Sequence, residues 1–411
     1  MHLLRAGVPL LLLTVSFVGA VASLPSLGAS GGGATVVEVK WGPFHIEGGQ
    51  QHGHGDGENL FRFGIEKPCE SCFITKIVPN LTHPDGSTAN FSTMAMLHHV
   101  VLAQSGAPDA TCGGTPLGSL GSRIFASGNE RTVMEFPPGY GLPVTSDGSW
   151  TLVTHIMNMH TEERQFYLDF DFTIEPDSAD LAPVTPVWLD VDNCGDSEFM
   201  APAGPSDTHW DWTSTIEGNI VGMAGHVHDH GIAVSAENVT RDAGICDSLA
   251  GFAEGSTAAP AGHSPGLHFA FSHELPGDPA YMGHIEEMSR CHEPRMIRTG
   301  DVIRLHTLYN LPEMRHDVMG IMIAYVYETD EAVRVKGDLD CNGVIGVDDA
   351  LLGLRRLSNP GGAQTCSTLD MDCDQTGGAE DTAFILAHVA RVEREMPAGC
   401  FPPGSALPPL G

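Results

Sequence analysis

Basic residues are scarce in this chain. Its 411 residues hold 20 Lys and Arg against 52 Asp and Glu, a formal charge of −32. So acidic a surface repels phosphate backbones and anionic headgroups, which argues against nucleic acid or anionic lipid as partners. Aromatic residues are few as well, at 7%. With 49 glycines and 28 prolines beside them, long packed helices are disfavoured and short strands joined by many turns are expected. No membrane span is expected, because past the N-terminus no apolar run is long enough to cross a bilayer. The strong run from Val8 to Val18 is too short; it follows Arg5 and precedes the small-residue pattern Ala20-Val21-Ala22. Residues 1–22 therefore read as a secretory signal rather than an apolar helix of the fold, and the protein as secreted and extracellular. A second pair at zinc-finger spacing to match Cys69-x-x-Cys72 is missing too. In an exported chain the ten cysteines point to disulfides, this pair being joined to each other or to distant partners.

A chain of this length calls for two or three domains. Residues 23–34 are a Gly/Ser-rich linker. Strand patterns follow from Val36 to Phe44, Cys72 to Val78, Met94 to Leu102, from Trp150 and from Gln165 to Ile174. The proline-rich stretch 176–186 reads as a connection between a first domain, 35–178, and a second, 187–332. Strand patterns resume at Thr213 to Val221, Ile232 to Val239, Val302 to Leu308 and Met319 to Tyr327. Residues 337–400 form a separate unit, and 401–411 read as a disordered tail.

Histidine carries the chemistry. The stretch Gly225-His226-Val227-His228-Asp229-His230-Gly231 lies between β-branched and small apolar residues, which predicts a strand. Side chains two apart share a strand face, so His226, His228 and His230 would project together. Three imidazoles on one face pack poorly and suit copper, zinc, iron or nickel; a polar strand face or a histidine-rich turn is the plainer alternative. His98 and His99 are adjacent inside an apolar strand. They cannot share a face unless the strand ends or bulges there, and buried imidazoles need partners for their ring nitrogens. His155 ends another apolar strand, with His160 beyond it. His52 and His54 read as residues of a glycine-rich loop. Met319 heads the last strand, where a methionine is ordinarily a core gap-filler.

Taken in order, these pieces form a pattern: a His-His pair in a strand, the turn Pro137-Pro138-Gly139-Tyr140-Gly141 before a strand carrying His155, a His-x-His strand, a Gly300-Asp301 turn before a strand, and Met319. The order resembles the type II copper, ascorbate-dependent monooxygenases, the family of peptidylglycine α-hydroxylating monooxygenase and dopamine β-monooxygenase, over roughly residues 60–330. The resemblance implies a mostly β fold of two tandem antiparallel, jelly-roll-like β-sandwiches, each with one copper. His98, His99 and His155 would hold the copper that relays an electron. His226, His228 and Met319 would hold the one where O₂ binds and a C–H bond is hydroxylated, with ascorbate as reductant. Imidazole serves both copper oxidation states and a thioether favours Cu(I).

This chain departs from the family at its substrate clamp. Where the peptide-amidating members carry an Arg two residues before the His-x-His motif, it has Ala224; where they carry Asn and Tyr after the methionine, it has Ile321 and Ile323. An anionic substrate terminus would find no fork of donors. Gly320 stands where the family has a Cys, while Cys246 and Cys291 remain free to bridge within the second domain. His230 and His160 are further candidates to support the metal ligands.

The unit 337–400 holds two acidic loops. Asp338, Asp340, Asn342 and Asp349 fall at positions 1, 3, 5 and 12 of an EF-hand-type Ca²⁺ loop, with Gly343 at the sharp turn and the carbonyl of Val344 next. Asp370, Asp372, Asp374 and Asp381 repeat the pattern, with Gln375 in the glycine's place. Helices are expected from Ala350 to Leu357 and Thr382 to Arg391. Two such loops, each followed by a helix, resemble a dockerin, which implies a cohesin-like, cell-surface or intrachain partner. The whole reads as a secreted copper monooxygenase of unknown small-molecule or peptide-like substrate with a Ca²⁺-binding appendage. A non-catalytic copper- and calcium-binding adhesion or scaffold protein is the alternative.

Overall fold

The computed structural model describes residues 33–49, 59–113, 121–252, 284–359, 367–392 and 394–409. The secretory signal, nearly all of the 23–34 linker, and His52 and His54 lie outside these residues. The fold is mostly β, with several antiparallel sheets and, among the described residues, two α-helices, Val347–Ser358 and Ala379–Val389.

Among the described residues four sheets build the β portion. A seven-stranded sheet centres on Arg164–Pro176, flanked by Thr35–Ile46 and Cys72–Val78. Its neighbour runs Leu60–Ile65, Trp150–Asn158, Ala95–Gln104, Ser122–Ser127. Strand alternation turns Phe166, Leu168, Phe170 and Phe172 to one side, and they share a buried cluster with Leu97, Leu102 and Leu152 from the four-stranded sheet. Later in the chain, a six-stranded sheet contains Thr185–Asp190, Arg315–Tyr327 and Gly218–Val227. A five-stranded sheet of Gly204–Thr213, Val302–Leu311, Gly231–Asn238, Ala243–Phe252 and Ile285–Met288 shares a second cluster with it.

The strand Arg315–Tyr327 is the seam between the two clusters. Met319, Ile321, Ile323 and Tyr325 enter the first, while Val318, Met322, Ala324 and Val326 enter the second. From Val318 to Val326 both of its faces are buried, and its sequence there is apolar or glycine throughout. The Cys112–Cys194 disulfide and the Tyr325 hydroxyl, donating to the Ile124 carbonyl at 3.0 Å, fasten the seam. Cys69 is joined to Cys72, and Cys246 to Cys291.

Some expectations need correction. The strand expected from Thr213 to Val221 is two strands, broken by a turn at 214–217 that Ser214 Oγ closes on the Ile216 carbonyl at 2.7 Å. Met319 lies inside its strand rather than at its head, because Glu198–Ala201 pairs with residues as early as Arg315. The tail expected to be disordered is packed through residue 409. Leu407 N donates to the Arg334 carbonyl, Tyr140 Oη to the Leu407 carbonyl at 2.9 Å, and Ala406 is 2% exposed within the first cluster. Its prolines pre-pay backbone entropy, and Pro408 fits against Gly139, where a Cβ would sit 2.7 Å from it.

Candidate metal centre

The His-His pair sits on a bulge. Leu97 pairs with Ile156 and His99 with His155, which leaves one extra residue on the strand Ala95–Gln104. That extra residue rotates the pair so that both rings reach His155 across the ladder. Ring nitrogens of His98, His99 and His155 all lie within 4.8 Å of one another, and all three residues are buried. The Nδ1 atoms of His98 and His99 are 3.2 Å apart. His99 Nε2 donates to Asn59 Oδ1 at 2.6 Å, which leaves its Nδ1 lone pair turned toward His98.

The central histidine stretch folds differently from expectation. The strand Gly218–Val227 ends one residue before His228, and Gly231 N donates to the His228 carbonyl at 2.9 Å. A Cβ on Gly231 would lie 2.5 Å from the Val227 side chain, so only glycine permits so tight a turn. His230 takes φ 71° in that turn, and the three-histidine strand face does not form. His226 and His228 stay neighbours, with ring centroids 5.5 Å apart. His226 Nδ1 bonds Glu130 Oε1 at 3.0 Å, and His228 Nδ1 bonds the Asp317 carbonyl at 2.6 Å. Each bond fixes the proton on Nδ1 and leaves the Nε2 lone pair to point elsewhere.

Those lone pairs have no protein partner. The Nε2 atoms of His155, His226 and His228 are buried and unbonded, a state that ordinarily costs a few kcal/mol each. Burial also favours the neutral form of His98, His99, His155 and His228. It pushes His98 and His99 well below the ordinary histidine range, with the neighbouring imidazoles adding to the effect. Burial and His226 push His228 down to about 3. Oriented imidazoles with an unpartnered buried nitrogen are what a copper-type ion requires of its ligands.

The two histidine groups abut. The His98 ring lies 4.6 Å from that of His155 and 4.2 Å from that of His228, across the seam. Beside them is a cavity of about 530 Å³ whose walls include His99, His226 and Met319. All six candidate ligands therefore gather around one region. Gly128 makes the close approach possible, since a Cβ there would lie 2.6 Å from His226 Cε1 and 2.8 Å from the His98 carbonyl.

No family profile matches the chain. Two curated fungal proteins are similar to it. One, from a Phoma species, is called probable copper-dependent oxygenase M1; it is 29% identical over 181 residues, 40% of this chain and 44% of its own length. The other, from Cochliobolus lunatus, is called probable copper-dependent oxygenase clz3; it is 29% identical over 167 residues, 36% of this chain and 50% of its own. The chain thus spans about half the length of the curated relatives it matches. Solved structures align only loosely: peptide N-glycanase F at a TM-score of 0.33 over 72% of this chain, and a cowpea mosaic virus particle at 0.32 over 78%, with 13% and 11% identity. At those scores the likeness carries no weight.

Several residues that shape the centre escaped the sequence reading. Glu130 reaches across the seam from the loop after Ser122–Ser127, and Tyr309 bridges His228 N–H and the Met319 carbonyl at 2.8 and 2.7 Å. Neither carries a local motif. His160 is placed elsewhere: its Nε2 bonds the Thr93 carbonyl at 3.2 Å. In the C-terminal unit, Asp338, Asp340 and Asp349 bring oxygens within 4.8 Å of one another, as do Asp370, Asp372 and Asp374. Asn342 Oδ1 accepts from Val344 N, while Asp381 accepts from Met371 N and Gly378 N, both at 2.6 Å. Gln375 adopts φ 69° where the first loop has Gly343 at 83°. Among the described residues no helix is long and apolar enough to cross a membrane.

Proposed function

We propose that this protein is a copper-dependent oxygenase of the type II, ascorbate-using class, hydroxylating a C–H bond with O₂. The carrying observation is the set of three buried, unpartnered imidazole nitrogens, drawn from both halves of the chain, beside an apolar cavity that also holds Met319. The names of the two fungal relatives support copper and oxygenation at that coarse level. His98, His99 and His155 would hold one ion, and His226, His228 and Met319 the other. Copper bound there supplies the redox chemistry and the activation of O₂. Glu130 and the Asp317 carbonyl hold the imidazole tautomers, and Val101, Val153 and Ile321 keep the cavity wall apolar.

The same reading includes finer features. The four sheets pair as two tandem sandwiches, and the acidic loops of residues 337–400 bind Ca²⁺ in a dockerin-like unit with a cohesin-like or cell-surface partner. Export is supported by the apolar run near the N-terminus and by the lack of free cysteines among the described residues.

Copper titration of the mature protein tests the reading. Close to two ions per chain are expected, and His228→Ala is expected to lose one. Binding of no copper overturns the proposal. Ascorbate-dependent O₂ uptake with accumulating hydroxylated product then separates an oxygenase from a purely copper-binding protein, which yields no product.

A further inference from the structure

One face of the four-stranded sheet leads out of the cavity. His99 pairs with His155 across the ladder. Two residues on, Val101 pairs with Val153, and Phe61 of the edge strand continues that row. Two more residues on, the row is Ala103, Thr151 and Phe63. Residues two apart share a strand face, and each such step advances about 7 Å. The three rows therefore form one surface that runs about 14 Å from the histidines to Phe63. His99, Val101, Val153 and Phe61 belong to the cavity wall, together with Met319 and Ile321 from the seam strand. Phe63 lies past the end of that wall.

Two phenyl rings stand open where the sheet face leaves the cavity. Phe61 is 46% exposed and Phe63 69%. Their rings stack, 6.4 Å apart and within 16° of parallel. Scattered exposed apolar residues need no account, whereas a continuous apolar surface does. The residue between them sharpens the point. Arg62 turns to the opposite face, where its guanidinium lies over Phe44 at 5.5 Å. A strand shaped for stability alone would send its phenyls toward buried Phe44 and its arginine to water.

The surface offers nothing to an anion. Among the described wall residues the one Lys or Arg is Arg123, and its Nε and Nη2 already donate to the two oxygens of Asp109 at 2.7 and 3.0 Å. The wall also carries Asp196. An entering carboxylate would lose its water without meeting a free cation.

We infer that the substrate is a long apolar molecule without an anionic group. Its reacting end lies in the cavity beside the histidines, and its remainder lies along the sheet face on Phe61 and Phe63, which set a preference for length. The inference rests on the oxygenase reading only in naming the occupant a substrate with a reacting end.

The test uses the full chain as purified, without oxygen or reductant so that nothing turns over, and with copper content measured in parallel. 1-Hexanol, 1-decanol and decanoate are titrated calorimetrically. Each methylene taken out of water tightens binding by up to about fourfold. 1-Decanol is therefore expected to bind at least about tenfold tighter than 1-hexanol, and decanoate more weakly than 1-decanol. Phe63→Ser removes only the exposed end of the surface, a change that folding tolerates. It is expected to weaken 1-decanol about tenfold, as half-covering a phenylalanine side chain gives, and to leave 1-hexanol unchanged. Val36→Ser, at a residue 65% exposed on the seven-stranded sheet, is expected to change neither alcohol. Equal binding of the two alcohols, tightest binding of decanoate, or binding of none overturns the inference. So does a Phe63→Ser variant that binds 1-decanol as the wild type does or weakens both alcohols alike, or a Val36→Ser variant that loses as much. If Phe63→Ser instead turns a sedimenting dimer into a monomer with 1-decanol binding intact, the phenyl pair serves a second copy of the chain and the inference fails. Length dependence in a chain that binds no copper would sink the oxygenase reading and leave this inference standing; copper binding without length dependence does the reverse.

Discussion

His228 shows how a single side chain links the centre to stability. Unfolded, it titrates near 6.5; folded, burial and His226 hold it at about 3. His98 and His99 are lowered in the same direction. Between those values the unfolded chain binds protons that the folded chain refuses. Metal-free stability is thus full above about pH 6.5 and falls as pH drops toward 3. Each such histidine removes up to about 1.4 kcal/mol per pH unit within the window. The thermal midpoint of chelator-treated protein is expected to fall steeply from pH 7 to 5, and less steeply in His228→Leu. A flat profile would contradict buried neutral imidazoles. The ligand candidates themselves were legible in the sequence, because polar rings inside apolar strands need a reason to be there. Glu130 was not legible: nothing in Gly128-Asn129-Glu130 says that it meets residue 226.

Tyr309 ties two elements together through one hydroxyl. It accepts from His228 N in the turn and donates to the Met319 carbonyl in the seam strand. In Tyr309→Phe both backbone groups stay buried and lose their partner, at about 1–3 kcal/mol each. Denaturant unfolding is expected to show a loss of roughly 2–4 kcal/mol, with weaker copper retention at the His226–His228 group. A loss under about 1 kcal/mol would mean that water replaces the hydroxyl there. Elements were unevenly legible for related reasons. The bulge at His98 could be anticipated as one of two options, since adjacent histidines on one face need the strand either to end or to bulge. The break at His228 was open only as the plainer alternative, a histidine-rich turn, because Ile232-Ala233-Val234 beyond it reads as a continuing strand; the close packing of Gly231 on Val227 marks the turn. The seam strand's alternation was hidden because both of its faces are buried.

At the scale of the molecule, the tail and the histidine contact both join parts that the sequence separates. Ala406 sits in the first cluster, so Ala406→Glu would bury an unpaired carboxylate and expel the tail instead. Limited proteolysis followed by mass spectrometry is expected to cut residues 402–409 quickly in the variant and slowly in the wild type; equal rates would show that the tail's packing holds nothing. The histidine groups pose a sharper question. Family resemblance assigns them to two separate coppers, one relaying an electron to the other. Here His98 touches His228 at 4.2 Å between ring centroids, with no layer of solvent between those two rings. Ligands in van der Waals contact provide a short path for electron exchange between the ions they hold. Two cupric ions loaded into these groups should therefore not behave as independent spins. Paramagnetic resonance on the fully loaded, oxidised protein is expected to integrate to fewer spins than the copper content, or to show a half-field transition. Two full-intensity, unbroadened signals would mean that the halves move apart when metal binds, and that the contact belongs to the metal-free chain alone.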